Sequence, residues 1–135
     1  MAQLFTDAWI NELKEAWNND PEVSNKLADI EFSSTITCGY KGEETPSCVF
    51  VVDKGVAVSA GTYNGETPDW DMRASKDDWM KWVQKPLGMT GMGIAFTTGK
   101  LKFPTGDFKA MIKTPAMAGP FIKSFSLMNK IGAEA

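Results

Sequence analysis

The sequence predicts an α+β fold in which helices cover one face of a largely antiparallel sheet. Large apolar side chains recur every four positions near the start, polar and apolar residues alternate over residues 30–74, and helical spacing returns afterwards. The 135 residues are within the usual size of one domain, and no repeat or linker divides them. We therefore expect a single domain over residues 1–135.

The first predicted element is an amphipathic helix. Its apolar stripe recurs every four residues: Phe5, Trp9, Leu13 and Trp17. Thr6 is a suitable N-cap, and the helix is predicted to end before Asn18. We expect the stripe to dock on the sheet. The alternative is a helix that uses this stripe to bind a partner protein.

Four short strands are predicted next. They cover residues 30–38, 48–52, 56–60 and 70–74. Because the connections are too short for parallel crossovers, an antiparallel meander is the predicted topology. Cys38 and Cys48 flank the first hairpin and are placed to lie opposite each other. Two buried thiols are expected, and a disulfide is the alternative.

The second half begins with a predicted helix that Ser75 caps. Residues 100–103 alternate strictly and form the predicted fifth strand. Asp107 is the predicted cap of a short helix. Pro115 is expected to break the chain, and the final helix is predicted to begin at Pro120.

A glycine-rich segment over residues 86–103 contains Gly99-Lys100 and suggests a phosphate-binding loop. That loop needs a glycine where Ile94 stands and a hydroxyl residue where Leu101 stands, so the motif fails. A dinucleotide fingerprint also fails, because its glycines follow a strand and these follow a predicted helix. The large side chains of the segment instead have helical spacing: Met89, Met92 and Phe96.

The composition excludes several classes of site. There is no histidine, and two cysteines are too few for a cysteine-rich metal site, so we expect no metal and no cofactor. Asp69 and Asp71 are expected on the water-facing side of a strand, and Asp77 and Asp78 at a helix N-terminus. These carboxylates form no catalytic set, and we expect a protein that is not an enzyme.

Charge is distributed unevenly along the chain. Residues 1–99 carry a net charge of −7 and residues 100–135 a net charge of +4, which gives −3 overall. An acidic protein is not expected to bind nucleic acid. The C-terminal lysines form either a solvated face or a surface for transient contact with an anionic membrane. Without a secretory leader or an apolar run of about 18 residues, a cytoplasmic location is expected.

Methionine is concentrated in the second half of the chain. Seven methionines follow residue 70. The flexible thioether suits a cavity that accepts apolar ligands of variable shape. A methionine-rich core is the alternative.

Three stretches resemble the sterol carrier protein type 2 family. They are residues 72–79 (MRASKDDW), residues 99–103 (GKLKF) and Gly106-Asp107. The resemblance extends from the N-terminal helix to Met128, and the chain is expected to be a stand-alone, prokaryotic member. The family places the second of these glycines six residues after the first. Here the interval is seven, which predicts a bulge where the last strand ends.

The resemblance implies a five-stranded, largely antiparallel sheet, covered on one face by four or five helices, that encloses an apolar tunnel. A fatty acyl chain, a phospholipid or a sterol would occupy the tunnel, and the implied function is non-enzymatic binding with transfer between membranes or to an enzyme. The alternative is an enzyme, or an enzyme-accessory protein, that acts on a hydrophobic substrate. The family has no catalytic set, so ligand-binding residues are predicted from position alone: Phe32, Phe50, Trp70, Met72, Trp82, Met92, Phe96, Leu101, Phe103, Met111, Phe121, Phe125 and Met128.

The final helix, loosened at Pro115 and Gly119-Pro120, is expected to act as a lid over the tunnel. Lys113, Lys123 and Lys130 would then meet an anionic headgroup or a membrane surface.

Overall fold

A computed structural model describes the whole chain, residues 1–135. Its six helices are α1 Asp7–Asn18, α2 Ser24–Asp29, α3 Lys76–Gln84, α4 Met89–Thr97, α5 Phe108–Ile112 and α6 Pro115–Ile131. Its five strands are β1 Ser34–Tyr40, β2 Cys48–Asp53, β3 Val56–Thr62, β4 Trp70–Ala74 and β5 Lys102–Thr105. None of the helices has the length and apolar content that crossing a membrane requires.

The strands form one sheet in the order β3-β2-β1-β4-β5. Three neighbouring pairs are antiparallel, whereas β1 and β4 are parallel, with Ile36 opposite Trp70. The predicted α+β class with five largely antiparallel strands is confirmed. The predicted four-strand meander is wrong, since β4 pairs with β1 and not with β3.

The connection between β3 and β4 explains the parallel pair. The N–H of Tyr63 donates to the Ser47 carbonyl (3.2 Å), and the N–H of Asp69 donates to the Thr35 carbonyl (2.8 Å). β4 lies three strand positions from β3, which is about 14 Å. The seven residues 63–69, when extended, reach about 23 Å. An extended crossover is therefore long enough, and no helix is needed.

Helix α1 docks on the sheet as predicted. The Thr6 hydroxyl caps it by accepting from the backbone N–H of Trp9 (3.3 Å). Trp9, Leu13 and Trp17 are buried. The Trp17 ring packs against Phe50 of β2 with ring centroids 5.0 Å apart. The stripe is therefore covered within this chain and is not free to bind a partner protein.

Several element bounds differ from the prediction. Phe5 precedes α1 and has a φ of 61°, and α2 forms where no element was predicted. β1 starts at Ser34 because Glu31, with a φ of 52°, interrupts the extended chain. β5 starts at Lys102, two residues later than predicted.

Helix α6 begins five residues before its predicted start. Pro115 lies in its first turn, where a proline has no helical hydrogen bond to lose, so this residue starts the helix. Pro120 lies inside the helix and cannot donate to the carbonyl of Ala116. Phe125 and Leu127 are buried, so the C-terminal half of α6 is part of the core.

The predicted bulge at the end of the last strand is confirmed. Lys102 and Thr105 are three positions apart, but they pair with residues of β4 that are two positions apart. Gly106 follows with a φ of 108°, and a Cβ at this position would collide with the Trp70 ring. The glycine therefore allows the chain to turn closely over Trp70.

The two faces of the sheet bury different groups. Side chains alternate along a strand, so Trp70 and Met72 face the helices while Asp71 and Arg73 face the other way. Asp71 was predicted to face water, but only 6% of it is exposed. Arg73 Nε donates to Asp71 Oδ1 (2.9 Å), and Arg73 Nη1 donates to the Glu43 carbonyl (2.7 Å). The turn after β1 thus contacts this buried ion pair.

Candidate functional site

A cavity lies between the sheet and helices α1, α2, α5 and α6. Its volume is about 70 Å³. Fifteen of its sixteen lining residues are hydrophobic, and none is charged. The lining residues are Ile10, Leu13, Trp17, Leu27, Phe32, Ile36, Cys38, Phe50, Trp70, Met72, Phe103, Met111, Met117, Phe121, Ser124 and Met128.

The sheet forms the floor of the cavity. Ile36 of β1 lies opposite Phe50 of β2 on one side and Trp70 of β4 on the other. Cys38, two residues later, lies opposite Met72. Because strand side chains alternate, these residues share one face. Strand pairing thus brings together apolar side chains that are distant in the sequence.

Two helices form most of the opposite wall. α1 contributes Ile10, Leu13 and Trp17, and α6 contributes Met117, Phe121, Ser124 and Met128. Within each helix these residues are three or four positions apart, which places them on one side. Each helix therefore gives the cavity a single continuous stripe.

An ion pair connects α6 to the segment between α1 and α2. Lys123 Nζ lies 3.1 Å from Glu22 Oε2 and 4.0 Å from Asp20 Oδ2. The hydrogen bond to Glu22 and the charges of Glu22 and Asp20 raise the pKa of Lys123. Lys123 was predicted to face a lipid headgroup or a membrane, but its ammonium group is paired within the chain.

Eight of the predicted ligand-binding residues line the cavity. They are Phe32, Phe50, Trp70, Met72, Phe103, Met111, Phe121 and Met128. The other five lie outside it: Trp82, Met92, Phe96, Leu101 and Phe125. A role in ligand binding stays a prediction for the eight residues that line the cavity. For the other five residues, the position of the cavity does not support such a role.

The five outlying residues belong to the packing around α3 and α4. The Trp82 and Phe125 rings lie 6.4 Å apart, and Phe125 is fully buried. Met92 and Leu101 are also fully buried. Phe96 stacks on Phe108 with ring centroids 4.5 Å apart. Apolar periodicity predicted that these side chains are covered, but it does not say which neighbour covers them.

Sequence reasoning missed half of the lining. The missed residues are Ile10, Leu13, Trp17, Leu27, Ile36, Cys38, Met117 and Ser124. The stripe of α1 was assigned to docking alone, although a docking face can also line a cavity. Ile36 and Cys38 share the alternation of Phe32, and this signal was available in the sequence.

The cavity offers little reactive chemistry. The Ser124 hydroxyl donates to the Phe121 carbonyl, so its proton is already engaged. Cys38 and Cys48 lie opposite each other as free, buried thiols, as predicted. A hydrogen bond with Cys38, followed by burial, raises the pKa of the Cys48 thiol well above its usual value. A thiol of this kind stays protonated and is a weak nucleophile.

Neither tyrosine enters the cavity. Tyr40 packs against Phe5 with ring centroids 5.4 Å apart, and burial raises the pKa of its phenol, with smaller contributions from Cys48 and Glu43. Tyr63 lies in the connection between β3 and β4. The lining also contains no aspartate or glutamate. The groups that the enzyme alternative would place in the cavity are thus located elsewhere.

Solved structures share this architecture. A crystal structure of sterol carrier protein 2 superimposes with a TM-score of 0.72 at 17% identity, over 95% of this chain and 98% of that chain. The chain has the sterol carrier protein 2 fold. The fold implied by the three sequence stretches is therefore confirmed.

Two further structures have the same fold. One is a conserved hypothetical protein from Thermus thermophilus, described as possibly a sterol carrier protein, with a TM-score of 0.67, 16% identity, and coverage of 99% of this chain and 93% of that chain. The other, UbiJ-SCP2, is described as a ubiquinone synthesis protein and has a TM-score of 0.59, 12% identity, and coverage of 91% and 89%. Neither a protein-family model nor a curated protein matches the sequence.

Proposed function

We propose that this protein binds the apolar part of a lipid in the cavity, without catalysing a reaction, and carries it between membranes or to an enzyme. The observation that supports this proposal most directly is the lining of fifteen hydrophobic residues and one serine. Burying an apolar chain there gains about 25 cal/mol per Å². A charged headgroup would find no partner inside, so it stays at the rim.

Binding a whole acyl chain requires the cavity to widen. Pockets for small molecules measure about 300–1,000 Å³, and this cavity measures about 70 Å³. The methionines of the lining can change rotamer at little cost. The first turn of α6 is the segment best suited to move, because Ala116 and Gly119 are exposed and Pro120 removes a helical hydrogen bond.

The proposed lid is therefore shorter than the sequence suggested. Phe125 and Met128 are buried, so movement of the whole helix would expose core side chains to water. We place the lid at residues 115–119, with Met117 on its inner side.

Delivery to an enzyme is the second candidate function. The cavity contains no general acid or base, so chemistry on a bound substrate would need a partner that supplies one. The similarity to a structure described as a ubiquinone synthesis protein is consistent with such an accessory role.

The test begins with the purified protein. Native mass spectrometry followed by lipid extraction would identify a co-purified apolar molecule, and a fluorescent fatty acid would measure the affinity. The informative variant is Ser124→Leu, since the larger side chain fills cavity volume. Ser126→Leu is the matched control, because Ser126 is exposed on the same helix.

We expect Ser124→Leu to weaken fatty-acid binding by about tenfold or more, which corresponds to about 1.4 kcal/mol. Ser126→Leu should bind like the unmodified protein. Equal affinities for the two variants, or no binding by the unmodified protein, would refute the proposed function.

A further inference from the structure

The solvent-facing half of α4 carries no charge. Met92 and Ala95 point inward and are buried. On the other side Met89 is 50% exposed and Ile94 is 60% exposed. The residues of this side are Met89, Thr90, Gly93, Ile94 and Thr97. Surface helices normally place charged side chains toward water. The outer side of α4 has no charged side chain, so it lacks the pattern of a helix whose outer side contacts only water.

Four exposed lysines flank α4 in the sequence. Lys81 and Lys85 precede the helix, and Lys100 and Lys102 follow it. All four are exposed, and none lies within 4.0 Å of a carboxylate oxygen. Residues 79–106 contain no aspartate or glutamate, although the whole chain has a net charge of −3. The segment that contains α4 therefore carries positive charges only.

The α4 surface adjoins the cavity. Phe96 of α4 stacks on Phe108 and lies 6.1 Å from Phe103. Phe103 lines the cavity, and its ring is 6.3 Å from that of Phe121 on α6. The rings of Phe96, Phe103 and Phe121 thus connect the exposed helix α4 with the wall of the cavity.

We propose that the uncharged half of α4 and its four flanking lysines form a docking surface for membranes that contain anionic lipids. Met89 and Ile94 enter the boundary between headgroups and acyl chains, and the lysines contact lipid phosphates. An apolar helical face bordered by lysines is the arrangement that interfacial helices use. The charge complementarity favours an anionic lipid surface, since a neutral apolar partner would leave the four ammonium groups without counter-charges.

This surface differs from the C-terminal lysines that the sequence suggested. Of those three, Lys123 is paired with Glu22, whereas Lys113 and Lys130 have no carboxylate oxygen within 4.0 Å. What sets the α4 surface apart is the uncharged, exposed helical face that its lysines flank. The proposal also concerns the outer surface of the protein and does not depend on whether the cavity binds a lipid.

The test is flotation with vesicles of phosphatidylcholine that contain about 30% phosphatidylglycerol, compared with vesicles of phosphatidylcholine alone. We expect the anionic vesicles to bind the protein about tenfold more strongly, and about 0.5 M salt to remove most of this difference. Equal binding to both kinds of vesicle, or none, would overturn the proposal.

Two variants locate the surface. Ile94→Glu places a charge on the exposed side of α4, and the double variant Lys81→Gln, Lys85→Gln removes two cations. Each should lower anionic-vesicle binding about tenfold. Val58→Glu is the matched control, because Val58 is 51% exposed on β3, far from α4 in the chain. It should bind vesicles within about twofold of the unmodified protein.

Other outcomes count against the proposal. If Ile94→Glu retains full vesicle binding, α4 is not the docking surface. If sedimentation velocity shows a dimer that Ile94→Glu dissociates, the surface contacts a second copy instead. Fluorescent fatty-acid binding is measured without vesicles in every variant. It should not change, so failure of docking is distinguishable from failure of the proposed cavity function.

Discussion

The side chain of Asn18, at the end of α1, makes two hydrogen bonds with the backbone of Ala57 on strand β3. Asn18 Nδ2 donates to the Ala57 carbonyl (2.9 Å), and Asn18 Oδ1 accepts from the Ala57 N–H (2.8 Å). About two turns earlier, Asn11 Nδ2 donates to the Ala60 carbonyl (3.2 Å). β3 is an edge strand, and unpaired edges invite association with other chains. Helix α1 thus protects this edge.

Replacing Asn18 with alanine should therefore destabilise the protein and expose the edge of β3. We expect the free energy of unfolding to fall by about 1–3 kcal/mol, because two hydrogen bonds are lost. Urea unfolding followed by tryptophan fluorescence measures the change. Asn19→Ala is the control, since the Asn19 side chain makes no hydrogen bond and the residue is exposed. A similar loss in both variants would mean that the bonds to Ala57 contribute little.

The buried pair of Asp71 and Arg73 leads to a second prediction. Arg73→Leu leaves the Asp71 carboxylate buried without its partner, so we expect a loss of about 3–5 kcal/mol. In the double variant Asp71→Val, Arg73→Leu the buried charge is also removed. Its free energy of unfolding should therefore exceed that of Arg73→Leu alone. If the double variant is the less stable of the two, the unpaired carboxylate is not the cause of the loss.

Local features of this fold could be predicted from the sequence. Thr6, Ser75 and Asp107 each cap the helix expected of them, because capping depends on residues only two or three positions away. The bulge in β5 followed from the resemblance, because the interval between two glycines is one residue longer here than in the sterol carrier protein type 2 family. The order of the strands was predicted wrongly, because the connection before β4 was judged too short for a parallel crossover. The extended residues 63–69 do reach β1, where Ile36 and Trp70 pair across 34 positions.

Only half of the residues that line the cavity could be predicted from the sequence, for a similar reason. Period-two alternation identified helix-facing residues of the sheet such as Trp70 and Met72. It left the face of Phe50 open, since its neighbours in β2 are also apolar. In the helices, periodicity showed that Trp82 and Phe125 are buried, but it could not show that they pack on each other. The start of α6 was missed because a proline at a helix start and a proline that breaks a chain give the same local signal.

The Cys48 thiol predicts a dependence of stability on alkaline pH. Its pKa is raised in the folded state, first by the hydrogen bond with Cys38 and then by burial. The unfolded chain therefore loses this proton first, at a pKa of about 8.5. The stabilising contribution is complete below that pH and is lost as the pH rises toward the folded pKa, with a slope of at most about 1.4 kcal/mol per pH unit.

Urea unfolding at several values between about pH 8 and pH 9.5 measures this slope. In Cys48→Ala the free energy of unfolding should be lower throughout, because a buried side chain is truncated, but it should change less with pH. The pKa of Tyr40 is raised by burial as well, and its contribution begins only near pH 10. Parallel curves for the two proteins would rule out Cys48 as the source.

The proposed lid at residues 115–119 leads to the last prediction. Gly119 is exposed in α6, and an added Cβ there meets no atom within 4 Å. Gly119→Ala should therefore raise the free energy of unfolding by about 0.5–1 kcal/mol, because alanine loses less backbone entropy in a helix. The same stiffening should slow entry of a fluorescent fatty acid by about threefold in stopped-flow mixing.

Gly93→Ala is the matched control, since Gly93 is also helical and unobstructed but lies on α4. Gly93→Ala should gain similar stability, while its rate of fatty-acid association stays unchanged. Equal association rates in the two variants would show that the first turn of α6 does not control access to the cavity.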